Sequence, residues 1–177
     1  MGIRNYLIEG VSGSGKTAVC HELRRRGYHA VNGDRALAYR GDPNTGATVS
    51  PPAHLTDADR VAWVHLHHVW DVDKVRSLAA DHRTEMTFFC GGSRNFHRFI
   101  DVFDAVFVLQ VGLDTLIERL SARPVDEFGG RSIERDLIMR LHATEEDVPK
   151  PALRIDATAP LAAVVDQILS RCGDAAT

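Results

Sequence analysis

The eight residues Gly10–Thr17, GVSGSGKT, constrain this chain more than any other stretch. They match the pattern G-x-x-x-x-G-K-[ST], in which each residue type has a physical reason. Gly13 and Gly15 reach backbone angles closed to residues with a Cβ, so consecutive N–H groups can turn inward on an anion. Gly10, Ser12 and Ser14 complete a loop of small residues around that cradle. A helix that starts at Lys16 aims its positive dipole end at the same point. Lys16 is one of only three lysines. It is placed to reach β- and γ-phosphates, and the Thr17 hydroxyl to ligate Mg²⁺. A flexible linker would require neither the lysine nor the strand and helix patterns on either side. The pattern predicts a nucleotide-binding loop, with ATP and Mg²⁺ as its cofactors.

Those flanks set the fold class. IRNYLIE (3–9) reads as a short strand, and KTAVCHELRRR (16–26) as a helix with Val19, Cys20 and Leu23 at helical spacing and Gly27 as its stop. YHAVN (28–32) is a second strand, and the resulting β–loop–α–β unit favours a parallel sheet. Residues 41–55 hold three prolines and two glycines and form a loop. From a Thr56 cap a helix is expected to run to about residue 82, because Val61, Val64, Val72, Val75 and Ala79 recur at threes, fours and one double step of eight. EMTFFC (85–90) and DAVFVLQV (104–111) read as buried strands, and LDTLIERLSAR and SIERDLIMRLHA as helices. ALRID (152–156) is the last strand and LAAVVDQILSR an amphipathic closing helix. The expectation is one domain over residues 1–177, a three-layer α/β/α sandwich around a five-stranded parallel sheet.

A formal net charge of −3 gives no broad basic field for nucleic acid or an anionic membrane, so neither is expected as a partner. Cys20, Cys90 and Cys172 are odd in number and form no CxxC pair, which argues against a disulfide scaffold or zinc ribbon. IRNYLIEG is broken by charge and has no signal-peptide pattern, and no apolar run approaches a membrane span. A cytoplasmic location is expected, with the chain a monomer or homodimer.

The early P-loop, the five strands and the arginine-rich segment before the last strand resemble the small P-loop kinases. That group includes nucleoside monophosphate kinases, shikimate kinase and gluconate kinase. The resemblance implies the sheet order 2-3-1-4-5 and transfer of the γ-phosphoryl group of ATP to a small acceptor. It places an acceptor-binding helical region at about 34–84 and a mobile lid at about 122–134. NGDRALAYR resembles the family's acceptor-binding turn, with Asp34 positioned to orient or deprotonate an acceptor hydroxyl. An N-cap role for Asp34 is the alternative, and both can hold. Arg35 and Arg40 either bind an acceptor anion or belong to a solvated helix face.

FFCGGSRN resembles the turn after the family's third strand and assigns Gly91, Gly92 and Arg94 to the acceptor. Cys90 departs from the monophosphate kinases, which carry there an aspartate that helps organise magnesium. A thiol is a poor Mg²⁺ partner. Either another carboxylate substitutes, or Thr17, phosphates and water hold the metal. RLSARPVDEFGGR resembles the lid. Arg119 and Arg123 share a helix face, and one of them, with Arg131, Arg135 or Arg140, would close on the transferring group. Arg123, beside Pro124, is the catalytic candidate, together with Lys16 and Asp34. Arg119 is assigned to the nucleotide. DATAP, with Ala157 and Thr158, resembles the loop that cups adenine, although a strand-to-helix turn at Pro160 explains it equally.

HLHH (65–68) lacks enough nearby ligands for a metal, so His65 and His68 read as interior or interfacial. Trp63 and Trp70 either stack on an acceptor ring or pack in the core. No Asn-Lys-x-Asp guanine reader is present, which sets a GTPase switch aside. The acceptor is expected to be nucleoside- or nucleotide-like. The alternatives are a hydroxylated metabolite of the shikimate or gluconate kind, and a regulatory module that binds ATP without catalysis.

Overall fold

A run of parallel strands, apolar on both faces, organises the chain. The structure, a computed structural model, describes residues 4–174. The first residue of the expected opening strand, Ile3, and both ends of the expected 1–177 domain lie outside the described residues. Strands β1 (Arg4–Glu9), β2 (His29–Asn32), β5 (Met86–Cys90), β6 (Ala105–Gln110) and β7 (Leu153–Asp156) form one parallel sheet in the order β2-β5-β1-β6-β7. Counted along the chain, this is the 2-3-1-4-5 order that the resemblance implied.

Side chains alternate across the sheet with period two, and both sides are covered. Tyr6, Ile8, Phe88 and Phe107 pack toward α1 (Lys16–Arg25) and α7 (Leu161–Asp174), with Leu23, Val165 and Ile168. Leu7, Phe89, Val106 and Val108 face the other way, onto Trp70, Val75 and Phe99. Each large apolar side chain buried in this way contributes about 1.5–3 kcal/mol. The three-layer α/β/α architecture follows directly. The strand register matters for the site, because Ile8 pairs with both Cys90 and Phe107. Glu9 and Gly10 therefore leave the sheet beside Gly91, whose N–H bonds to the Ile8 carbonyl at 3.0 Å.

The expected helix from 56 to 82 is instead three elements: α3 (Asp57–Leu66), β4 (His68–Trp70) and α4 (Val72–Ala79). Thr56 caps α3 as read, accepting the Asp59 N–H. The double step of eight between Val64 and Val72 is where the helix breaks. There β4 pairs antiparallel with β3 (Ala38–Arg40), and Asp71 caps α4 by accepting the Lys74 N–H. The break sinks Trp70 fully into the core, stacked on Phe99 at a centroid distance of 5.8 Å. Asn95 holds it there from both sides, accepting the Trp70 N–H at 3.0 Å and donating to its carbonyl at 2.9 Å. The remaining helices are α2 (Gly33–Ala36), α5 (Leu113–Ser121) and α6 (Ser132–Thr144). Among the described residues no helix is long and apolar enough to cross a membrane.

Candidate active site

The loop between β1 and α1 has the geometry its glycines predicted. Gly13 and Gly15 sit at φ 95° and 107°, in the region that side chains avoid. Gly15 ends the loop as the N-cap of α1, with no side chain bonded to the helix end and no acidic residue in its first turn. The first amides of α1 are therefore left for an anion. The Lys16 ammonium is folded onto the carbonyls of Gly10 and Val11. Ser14 is buried, and its hydroxyl has no partner among the described residues. Thr17 stands exposed on the first turn of α1. Among the described residues, a buried hydroxyl without a partner, an uncapped helix end and an ammonium held by loop carbonyls together fit a polyphosphate.

Arg119 joins this loop to the segment after β7. Its guanidinium donates to the Gly13 carbonyl at 3.3 Å, the Ser14 carbonyl at 3.2 Å and the Ala157 carbonyl at 2.9 Å. Ala157 is buried and bonds back to Gln110, while the Thr158 N–H is turned onto Asp156. Arg123 donates to Ser12 Oγ at 2.8 Å and also to the Phe128 carbonyl. The loop of residues 122–131 between α5 and α6 thus touches the phosphate loop directly. Two other lid candidates point elsewhere. Arg131 closes a capping box with Glu134, and Arg140 pairs with Glu146.

A cavity of about 300 Å³ opens from the phosphate loop, lined by Gly10, Val11, Ser12 and Lys16 on one side and by Asp34, Gly92 and Arg94 on another. Asp34 is not the cap of α2, because Asn32 takes that place by accepting the Arg35 N–H. Asp34 Oδ1 instead accepts the Gly92 N–H at 3.1 Å and lies 3.1 Å from His68 Nε2. Burial alone would push the Asp34 carboxyl up. The His68 hydrogen bond, the Lys16 charge and the Gly92 amide outweigh it and hold it below the usual carboxylate range. Arg35, assigned to the acceptor from the sequence, does not line the cavity, whereas Arg40, from β3, does. Arg35 belongs to the short α2, whereas Arg40, five positions on, ends the strand that follows it.

The glycine turn is required by what presses on it. A Cβ on Gly91 would lie 2.7 Å from both Asp34 Oδ1 and the Trp70 ring, and one on Gly92 would lie 2.8 Å from Glu9 Oε2. Arg94 is fixed between two carboxylates, Asp147 at 2.5 Å and Glu9 at 3.4 Å. Cys90 turns its thiol into the core against Cys20, where burial pushes it above the ordinary thiol range. It offers nothing to a metal, and among the described residues no group of three His, Cys, Asp or Glu side chains is arranged to hold one.

Four ionisable cavity residues, Glu9, His65, His68 and Asp147, have no functional role in the sequence reading. His65 and His68 do sit at an interface, but it is the cavity wall, where each meets a carboxylate: Asp147 for His65 and Asp34 for His68. Asp147, in the loop after α6, carries no local signal. Glu9 did carry one, being an acidic residue that directly follows the apolar run Tyr6–Ile8 of a central strand. Its side chain is 4% exposed. Burial raises its pKa to about 7, with Asp34 adding to the rise and Arg94, Lys16 and the Gly10 N–H opposing it. Neither tryptophan lines the cavity. Trp70 is core, and Trp63 stacks on His67 at 4.2 Å.

The chain is similar to known proteins. A family model described as AAA domain matches residues 7–140. A gluconokinase of Gluconobacter oxydans (strain 621H) is 40% identical over 75 residues, a match that covers 42% of this chain and only 40% of the relative's length. A sugar kinase from Janibacter sp. HTCC2649 has the same fold, with a TM-score of 0.55, 19% identity and coverage of 95% of this chain and 93% of that one. A shikimate kinase from Bacteroides thetaiotaomicron gives a TM-score of 0.58 at 14% identity over 96% and 98% of the two chains. For a gluconokinase from Sinorhizobium meliloti 1021 the values are 0.51 and 20% over 94% and 90%. With the phosphate loop formed, the 2-3-1-4-5 sheet in place and the family model spanning most of its length, the chain belongs to the AAA domain family and has the fold of the small P-loop kinases, a family that implies use of ATP.

Proposed function

We propose that this protein is an ATP-dependent kinase that phosphorylates a small hydroxylated metabolite. The observation that carries this reading is the single cavity shared by Lys16 and the phosphate loop with Asp34, Gly92 and Arg94. A donor phosphate held by the loop ends where an acceptor held by Asp34 begins. The nucleoside- or nucleotide-type acceptor expected from the sequence gives way to the alternative. The relatives are named as gluconokinase, sugar kinase and shikimate kinase. In addition, neither tryptophan, the side chains suited to grip a base, lines the cavity.

In this reading the loop amides and Lys16 hold the β- and γ-phosphates, and Arg119 keeps the loop and the adenine-side segment in register. Arg123 brings positive charge from the 122–131 loop toward the transferring group as water is excluded. Thr17 would hold Mg²⁺, which neutralises the phosphate oxygens when bound; phosphates and water supply its other ligands, since Cys90 cannot. Asp34 accepts a hydrogen bond from the acceptor hydroxyl.

The test is a screen of polyols, sugars, sugar acids, cyclic hydroxy acids and nucleosides for stimulated ADP release. A polyhydroxylated non-nucleoside is expected to raise release above the basal rate by about 10-fold or more. Stimulation by nucleosides alone would overturn the acceptor class. ATP binding with no stimulated release would mark a regulatory module. Arg119→Ala is expected to weaken ATP binding by about 10-fold, since hydrogen bonds from a charged donor are each worth about 1.5–3 kcal/mol and part is recovered by water. Isothermal calorimetry measures it, and unchanged affinity would remove Arg119 from the nucleotide site.

A further inference from the structure

Two carboxylates reach the cavity on either side of the Gly91–Gly92 peptide, and their surroundings differ. Asp34 is fully engaged at one oxygen: Oδ1 takes the Gly92 N–H and the His68 ring, each at 3.1 Å. Arg40 Nη1 lies 3.2 Å from the other ring nitrogen of His68. An arginine only donates, so His68 Nδ1 accepts and its Nε2 carries the proton given to Asp34. Asp34 is thus an oriented, charge-stabilised group with one oxygen left for a hydroxyl. Glu9 is held more loosely. It takes the Gly10 N–H at 3.2 Å and one arm of Arg94 at 3.4 Å, while the other arm of Arg94 is committed to Asp147.

We infer that Glu9 takes the acceptor proton during transfer, and that Asp34 holds the acceptor hydroxyl without taking that proton. The inference rests on the kinase reading above. Paired carboxylates whose environments push their proton affinities apart divide the roles of base and orienter between them. The groups facing Glu9 are Arg94 from the glycine turn, Lys16 from α1 and Asp34 from α2, with Asp147 behind Arg94. Their balance, with burial, leaves Glu9 near pH 7, where a general base works best, while Asp34 is held low and is a weak base. In the step, the acceptor O–H bond breaks as its oxygen bonds to the γ-phosphorus. The P–O bond to the β-phosphate breaks with its electron pair leaving on ADP, and the proton passes to Glu9 and then to solvent.

The test compares Glu9→Gln, Glu9→Asp and Asp34→Asn in the full chain with Mg·ATP. Water serves as one acceptor, read as basal hydrolysis, and the strongest acceptor from the screen as the other. Glu9→Gln is expected to lower kcat by about 10²–10⁴-fold with the KM for ATP unchanged, and to abolish the rise of kcat with pH through neutrality. Glu9→Asp restores part of the rate. Asp34→Asn raises the acceptor KM and keeps the pH rise. A Glu9→Gln protein with wild-type kcat, or a pH rise that disappears in Asp34→Asn and persists in Glu9→Gln, would overturn the assignment. If the wild type neither hydrolyses nor transfers, the kinase reading fails instead. Carbon-13 titration of the Glu9 carboxyl then decides the matter independently: a midpoint near the ordinary glutamate value of about 4 overturns the inference, and one near neutrality supports it.

Discussion

Lys16→Ala is expected to cut phosphoryl transfer by about 10²–10³-fold or more while the protein remains folded. Among the described residues the ammonium bonds to two carbonyls of its own loop, and no core side chain depends on it. Its removal therefore leaves core packing untouched and deletes the ammonium that the phosphate loop holds. The loss should fall on kcat as well as on ATP affinity, because charge develops on the transferred oxygens as the bond breaks. Steady-state kinetics with a thermal melt on the same sample separates the two effects. A variant that keeps its turnover would remove the central assignment of the loop, and one that fails to fold would show that Lys16 has a structural role.

Gly33→Ala is expected to be the most damaging single methyl in the acceptor region. A Cβ there would lie 2.1 Å from the Trp70 ring, and that ring is fully buried and stacked on Phe99. Neither partner can yield cheaply, because Trp70 is also held through its backbone by Asn95. Overpacking of this kind costs about 1–3 kcal/mol, and more where the neighbour is a rigid ring. Gly33 also precedes Asp34, so a chain that accommodates the methyl by shifting should displace the carboxylate. Urea unfolding is expected to show a lower midpoint with an unchanged slope, and acceptor KM should rise in parallel. A midpoint equal to wild type would mean that Trp70 has room to move.

The parts of this fold that were legible in the sequence are those set by neighbours along the chain. Gly13, Gly15 and Lys16 act within a few residues of one another, and the buried strands announce themselves through continuous apolar runs. The helix break at His68 was hidden because Val61, Val64, Val72, Val75 and Ala79 keep a helical rhythm across it. Only the pairing with Ala38–Arg40, some thirty residues upstream, shows that the gap is a strand. The acceptor side was legible in outline through Asp34 and the glycine turn. Its charge balance was not, since Arg94 is set by Glu9 and by Asp147, residues distant in sequence that only the sheet register and the end of α6 bring together. The choice of Arg40 over Arg35 likewise depends on where a four-residue helix stops.

The clamp on Arg94 has a consequence in simple parity. One guanidinium serves two carboxylates, so this corner of the cavity, taken as Glu9, Arg94 and Asp147 alone, carries one surplus negative charge when all three are ionised, and Lys16 faces it from α1. A single hydron arriving on Glu9 leaves Arg94 and Asp147 as a matched couple and makes the corner neutral. That trio is at its most balanced when a proton sits on Glu9.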